Sequence, residues 1–104
     1  MKRLAFKMQL NQGCIKAYKD RHDQLWPELK ILLKEAGVSN YSIFFDNETH
    51  TLFAFQNVTG SGGSQDLEQN SIVQKWWAFM ADIMETHPDN APVSIPLEEV
   101  FFME

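Results

Sequence analysis

The segment LAFKMQLNQGCIKAYKDRH, residues 4–22, changes its hydrophobic period in mid-course, and that change decides how the chain folds. Leu4, Phe6, Met8 and Leu10 alternate with Ala5, Lys7 and Gln9, the period of two that puts successive side chains on opposite faces of a strand. Beyond Asn11-Gln12-Gly13 the intervals become three and four, so Ile15, Tyr18, His22 and Leu25 share one helix face. Pro27 has no amide hydrogen and suits the first turn of a new helix, which predicts a kink near 23–27. A stripe of Leu29, Leu32, Leu33 and Ala36 then runs to Gly37, where the second helix ends.

Tyr41–Phe45 and Thr51–Val58 are rich in β-branched and aromatic residues and are joined by the hairpin connection Asp46-Asn47-Glu48. Both faces of this pair are apolar: Tyr41, Ile43 and Phe45 oppose Phe44, and Phe53 and Phe55 oppose Leu52, Ala54 and Val58. Such a sheet needs cover on both sides. Thr59-Gly60-Ser61-Gly62-Gly63-Ser64 reads as a flexible surface loop, and it lacks the Lys-Ser/Thr that a phosphate loop requires. Ile72, Val73, Trp76, Trp77, Met80, Ile83 and Met84 outline the strongest amphipathic helix, His87–Pro92 is rich in turn residues, and Glu98–Met103 reads as a closing strand. The order β-α-(α)-β-β-α-β is a ferredoxin-like split β-α-β arrangement, an α+β fold with an antiparallel sheet and helices on one face. Its second, apolar face predicts a two-fold homodimer.

A length of 104 residues fits one domain, 1–104, and the 44% hydrophobic content supports a packed core. With 14 acidic and nine basic residues the charge of −5 repels phosphate backbones, so nucleic acid is not an expected partner. No apolar stretch reaches membrane-helix length, and the alternating N-terminus lacks a signal-peptide core, which makes a cytosolic type of protein the expectation. The lone Cys14 excludes an internal disulfide.

Candidate chemistry starts with Tyr18 and His22, one helical turn apart and able to converge on one pocket. An imidazole of ordinary pKa near 6.5 both gives and takes protons around neutrality, although on spacing alone His22 is equally a half-buried surface residue. Adjacent tryptophans diverge by about 100° on a helix, so Trp76 and Trp77 either cap the core together or leave one indole to wall a cleft for a flat, polar-edged ligand such as a sugar. Tyr41 offers a phenol at the end of such a cleft, or simply packs. His22, His50 and His87 lack metal-motif spacing, and no G-x-S-x-G element is present.

Tyr18 with Arg21-His22, Leu25-Trp26-Pro27-Glu28-Leu29, Asn40-Tyr41, Trp76-Trp77 and Pro88-Asp89-Asn90-Ala91-Pro92-Val93 together resemble the L-rhamnose mutarotase family along essentially the whole chain. The resemblance implies a cytoplasmic, dimeric ferredoxin-like protein of the dimeric α/β barrel type that interconverts the α and β anomers of L-rhamnose without a cofactor or metal. It makes His22 the proton donor and assigns Tyr18, Tyr41, Trp76 and Trp77 to sugar binding. The stretch Thr59–Asn70 departs from the charged, more regular segment the family leads one to expect. Two other readings of such a pocket are a cofactor-independent monooxygenase and a non-catalytic sugar-binding module.

Overall fold

The computed structural model describes residues 2–60 and 62–104. Its elements are β1 (Lys2–Gln9), α1 (Ile15–Asp23), α2 (Pro27–Glu35), β2 (Val38–Asp46), β3 (Thr51–Val58), a 3₁₀ turn (Ser64–Asp66), α3 (Ser71–Met80) and β4 (Ser94–Pro96). The strands form one antiparallel sheet in the order β2-β3-β1-β4, the split β-α-β topology expected from the hydrophobic periods. No helix is long and apolar enough to cross a membrane among the described residues.

The inward face of the sheet presents Phe6 and Met8 from β1 and Leu52 and Ala54 from β3, and the helices add Tyr18, Leu29, Val73, Trp76, Trp77 and Met80 to the same core. Asn70 starts α3: its side-chain oxygen accepts the backbone N–H of Ile72 at 2.8 Å and of Val73 at 3.4 Å, satisfying donors that have no partner within the helix. Gly37 follows α2 at φ +92°, and a Cβ there would lie 2.5 Å from Thr59 Oγ1, so both the left-handed turn and the approach of β3 demand glycine.

Several expectations change. The kink at 23–27 is a complete break: Trp26 is extended at φ −60°, ψ 128°, as the residue before a proline prefers, and Leu25 falls outside α1. Ile83 and Met84 are buried as expected but lie past the end of α3. Ser64, expected in a surface loop, is buried at 6% exposure and opens the 3₁₀ turn, while Ser61 in the same stretch lies outside the described residues. The closing strand is Ser94–Pro96, not Glu98–Met103. β1 pairs with β4 only from Phe6 to Met8, and the chain then continues past it without a ladder. Its tail is held by Arg3, which pairs with Glu99 at 2.8 Å and lies over the Phe102 ring at 3.4 Å.

Candidate functional site

β2 is shaped around one irregularity. Ser39 pairs with Asn57 and Ser42 with Phe55, so Asn40 and Tyr41 together oppose the single residue Gln56, which is a β-bulge. Asn40 takes the left-handed φ of 48° that asparagine tolerates better than most residues. The bulge sits where Tyr41 meets the edge of Phe6, with ring centroids 6.5 Å apart, on the helix side of the sheet.

Between that face and the helices lies a cleft of about 900 Å³. Buried Met8, Leu52 and Met80 form its floor, and exposed Lys30, Lys34 and Asn40 stand at its mouth. Tyr18, His22, Tyr41, Trp76 and Trp77 all line it, so residues spread over three elements meet in one place. The two tryptophans do not divide between core and cleft: Trp76 and Trp77 are 9% and 6% exposed, and each contributes to both. His50 and His87 are not in the cleft lining. Nor are Asp89 and Asn90, which shape the turn instead: Asp89 Oδ1 accepts the Ala91 N–H at 3.1 Å and Asn90 has φ 72°.

His22 is held on three sides. Its ring stacks on Tyr18 at 4.3 Å and 29° and meets Trp76 edge-on at 5.4 Å and 89°. Nδ1 lies 3.0 Å from the Tyr18 carbonyl oxygen. A carbonyl only accepts, so Nδ1 carries a proton and donates it, leaving Nε2 as the nitrogen that can exchange a proton with a ligand. Burial lowers the imidazole pKa from its ordinary 6.5, opposed by the hydrogen bond to Tyr18 and the charge of Asp23. Arg21 fixes the helix that carries this ring, because its guanidinium donates to the Phe79 carbonyl and to Asp82 Oδ1, both at 2.8 Å, tying α1 to the end of α3.

The cleft also holds unspent hydrogen-bonding capacity. Neither the Tyr18 hydroxyl nor the indole N–H of Trp76 or Trp77 has a protein partner among the described residues. Yet no buried side-chain polar atom there is sealed away unpaired, so these groups open onto accessible space. Burial pushes the Tyr18 phenol far up, with nearby Tyr41 adding to the shift, and it pushes Tyr41 up as well. Both phenols are therefore neutral O–H groups near pH 7. Among the described residues no three His, Cys, Asp or Glu side chains gather as a metal-binding group. Aromatic walls, neutral donors and one exchangeable imidazole nitrogen suit an uncharged, hydroxyl-rich ligand that undergoes proton transfer.

Sequence reasoning missed Ser64, which lines the cleft with Tyr41, and Gln56, which lies across the bulge from Tyr41 and is hydrogen-bonded to Ser64. The signal for Gln56 was a polar residue breaking the inward series Leu52, Ala54, Gln56, Val58.

The profile of the L-rhamnose mutarotase family matches residues 3–103. The chain is 74% identical over 104 residues to an L-rhamnose mutarotase of Formosa agariphila and 62% identical over 104 residues to one of Bacteroides thetaiotaomicron, with 100% of both chains covered in each case. Its fold is similar to the crystal structure of an L-rhamnose mutarotase from Formosa agariphila, with a TM-score of 0.93, 69% identity and full coverage of both chains. A dimeric ferredoxin-like protein from an uncultured marine organism shares the fold at a TM-score of 0.55 and 14% identity, covering 97% of this chain and 96% of that one.

Proposed function

The chain belongs to the L-rhamnose mutarotase family and is an isomerase of that activity, and from this premise we propose that His22 moves the proton at the sugar ring oxygen. Mutarotation breaks the bond between the anomeric carbon and the ring oxygen. The ring oxygen gains a proton, the anomeric hydroxyl loses one to become a carbonyl, and closure on the other face reverses both transfers. In this reading protonated His22 donates from Nε2 on opening, and the neutral imidazole takes the proton back on closure. Tyr18 and Tyr41 orient hydroxyls and Trp76 or Trp77 stacks on the sugar face. Both phenols are too weakly acidic to serve as tyrosinate, so water is the base we assign to the anomeric hydroxyl. No cofactor takes part in this scheme. We place the activity in the cytoplasm, where the Cys14 thiol stays reduced.

The observation that carries the reading is the half-buried imidazole whose Nδ1 is committed to a backbone carbonyl inside a cleft lined by phenols and indoles. It sets a pH dependence. Because burial lowers the His22 pKa below 6.5, the donating form is the minor species at pH 7.5. Enzyme-catalysed α/β exchange of L-rhamnose, measured by saturation-transfer NMR with the spontaneous rate subtracted, is expected to fall with rising pH, approaching about tenfold per unit above that pKa. A rate that climbs and levels off on the alkaline side would make the neutral imidazole the base instead.

We also propose that a second copy of the chain covers the outer sheet face. Phe44 is 63% exposed and Phe55 42%, their rings 5.8 Å apart, and Ile95 and Leu97 continue the patch. The tail adds exposed Val100, Phe101, Phe102 and Met103. Large exposed apolar side chains gathered on one sheet face mark an interaction surface, and a two-fold interface buries such a face against its copy. Phe44→Asp with Phe55→Asp is expected to convert a dimer into a monomer in sedimentation equilibrium. A monomeric wild type in the same run contradicts the assignment.

A further inference from the structure

Gln56 points into the core from β3 at 2% exposure, between Ala54 and Val58, and both ends of its amide go to one residue. The Ser64 backbone N–H donates to Gln56 Oε1 at 2.8 Å, and Gln56 Nε2 donates to Ser64 Oγ at 2.9 Å. A backbone N–H can only donate, so the atom facing it is the amide oxygen and the orientation of the amide is settled by its partner. The Ser64 hydroxyl accepts from Gln56, with Gln65 Nε2 at 3.4 Å beside it, and its own proton is left to give.

That proton has an acceptor nearby. Tyr41 shares the cleft lining with Ser64 and sits in the bulge directly opposite Gln56. The Ser64 hydroxyl pulls the Tyr41 phenol down against the upward push of burial, which marks it as the phenol's polar neighbour in the cleft. Close packing makes this possible. A Cβ on Gly63 would stand 2.5 Å from Gln56 Oε1 and 3.0 Å from Leu4 Cδ1, so only glycine lets the chain bring Ser64 down onto Gln56.

We propose that Gln56 and Ser64 are positioning residues: the amide locks the Ser64 hydroxyl, Ser64 donates to Tyr41, and the Tyr41 proton is thereby turned toward a sugar oxygen in the cleft. This rests on the cleft being the sugar site. The segment Thr59–Asn70, which departs from the family's expected charged stretch, thus supplies an internal brace for a sugar-binding phenol.

The test is a double-mutant cycle on the full chain, with L-rhamnose exchange measured across sugar concentration for wild type, Ser64→Ala, Tyr41→Phe and the combination. Ser64→Ala is expected to lower kcat/KM by about 3- to 10-fold, mainly through KM, the loss of one oriented hydrogen bond. In the Tyr41→Phe background the same change is expected to cost less than about 1.5-fold, since no phenol remains to orient. Gln56→Leu with Ser64→Ala removes the amide N–H together with its hydroxyl acceptor but leaves the backbone N–H at position 64 without its own, so it is assayed on protein whose circular dichroism and thermal midpoint show it folded, and it is expected to reproduce the KM effect. An equal Ser64→Ala loss in both backgrounds, or no loss in either, overturns the brace while leaving the wild-type activity standing. Wild type that exchanges L-rhamnose only at the spontaneous rate overturns the sugar-site reading and this proposal with it.

Discussion

His22→Ala is expected to lower catalysed α/β exchange of L-rhamnose by about 10²- to 10⁴-fold while the domain stays folded, the range for losing the positioned acid–base group proposed for His22. The fold survives because His22 is only half-buried and its ring hydrogen-bonds the Tyr18 carbonyl of its own helix turn. The remaining walls still bind sugar, so the loss falls on kcat rather than KM. His22→Gln sharpens the test: its amide can occupy part of the slot and hydrogen-bond a sugar oxygen, but it cannot carry a proton, so it stays as slow as alanine. Free imidazole entering the vacated slot is expected to restore part of the rate, with the recovery following imidazole concentration. Wild-type exchange in a folded His22→Ala variant would remove the imidazole from the reaction altogether.

How much of this was legible before folding depends on whether the signal is local. The alternation of Phe6 and Met8 and the spacing of Val73, Trp76, Trp77 and Met80 report which face each residue turns to the core, and those faces are buried as expected. Tyr18 and His22 were paired by helix spacing alone, and their stacked rings 4.3 Å apart follow from it. The failures are non-local. Glu98–Met103 has strand-like side chains, but a strand also needs a ladder partner, and β4 occupies only the Phe6–Met8 stretch of that edge of β1. The glycines around Ser64 make its stretch look like a surface loop, whereas its burial depends on an amide eight residues earlier in a different element. Composition describes how freely a segment can bend and says nothing of what it bends onto.

The second large effect is structural and sits in the wall of the same slot. Trp76 is 9% exposed, and its indole packs 5.1 Å from Trp26 at 86°, 5.7 Å from Phe79 and 5.4 Å from His22. It therefore joins the break between α1 and α2, the end of α3 and the imidazole in one cluster. Truncating so large a buried aromatic to alanine costs about 3 to 5 kcal/mol. Against the roughly 5 to 15 kcal/mol that holds a domain together, this leaves little margin. Trp76→Ala is thus expected to lower the thermal midpoint by more than about 12 °C at matched protein concentration, and a midpoint within a few degrees of wild type would mean that the cluster does not hold the helices together. Trp76→Phe separates packing from chemistry, since it refills most of the volume but thins the wall beside His22 and admits water. Burial is the main cause of the lowered His22 pKa, so hydration moves that pKa up toward 6.5, and NMR titration of the His22 ring reads the shift directly. A pKa that stays at its wild-type value in the phenylalanine variant would place the desolvation with Tyr18 and not with the indole.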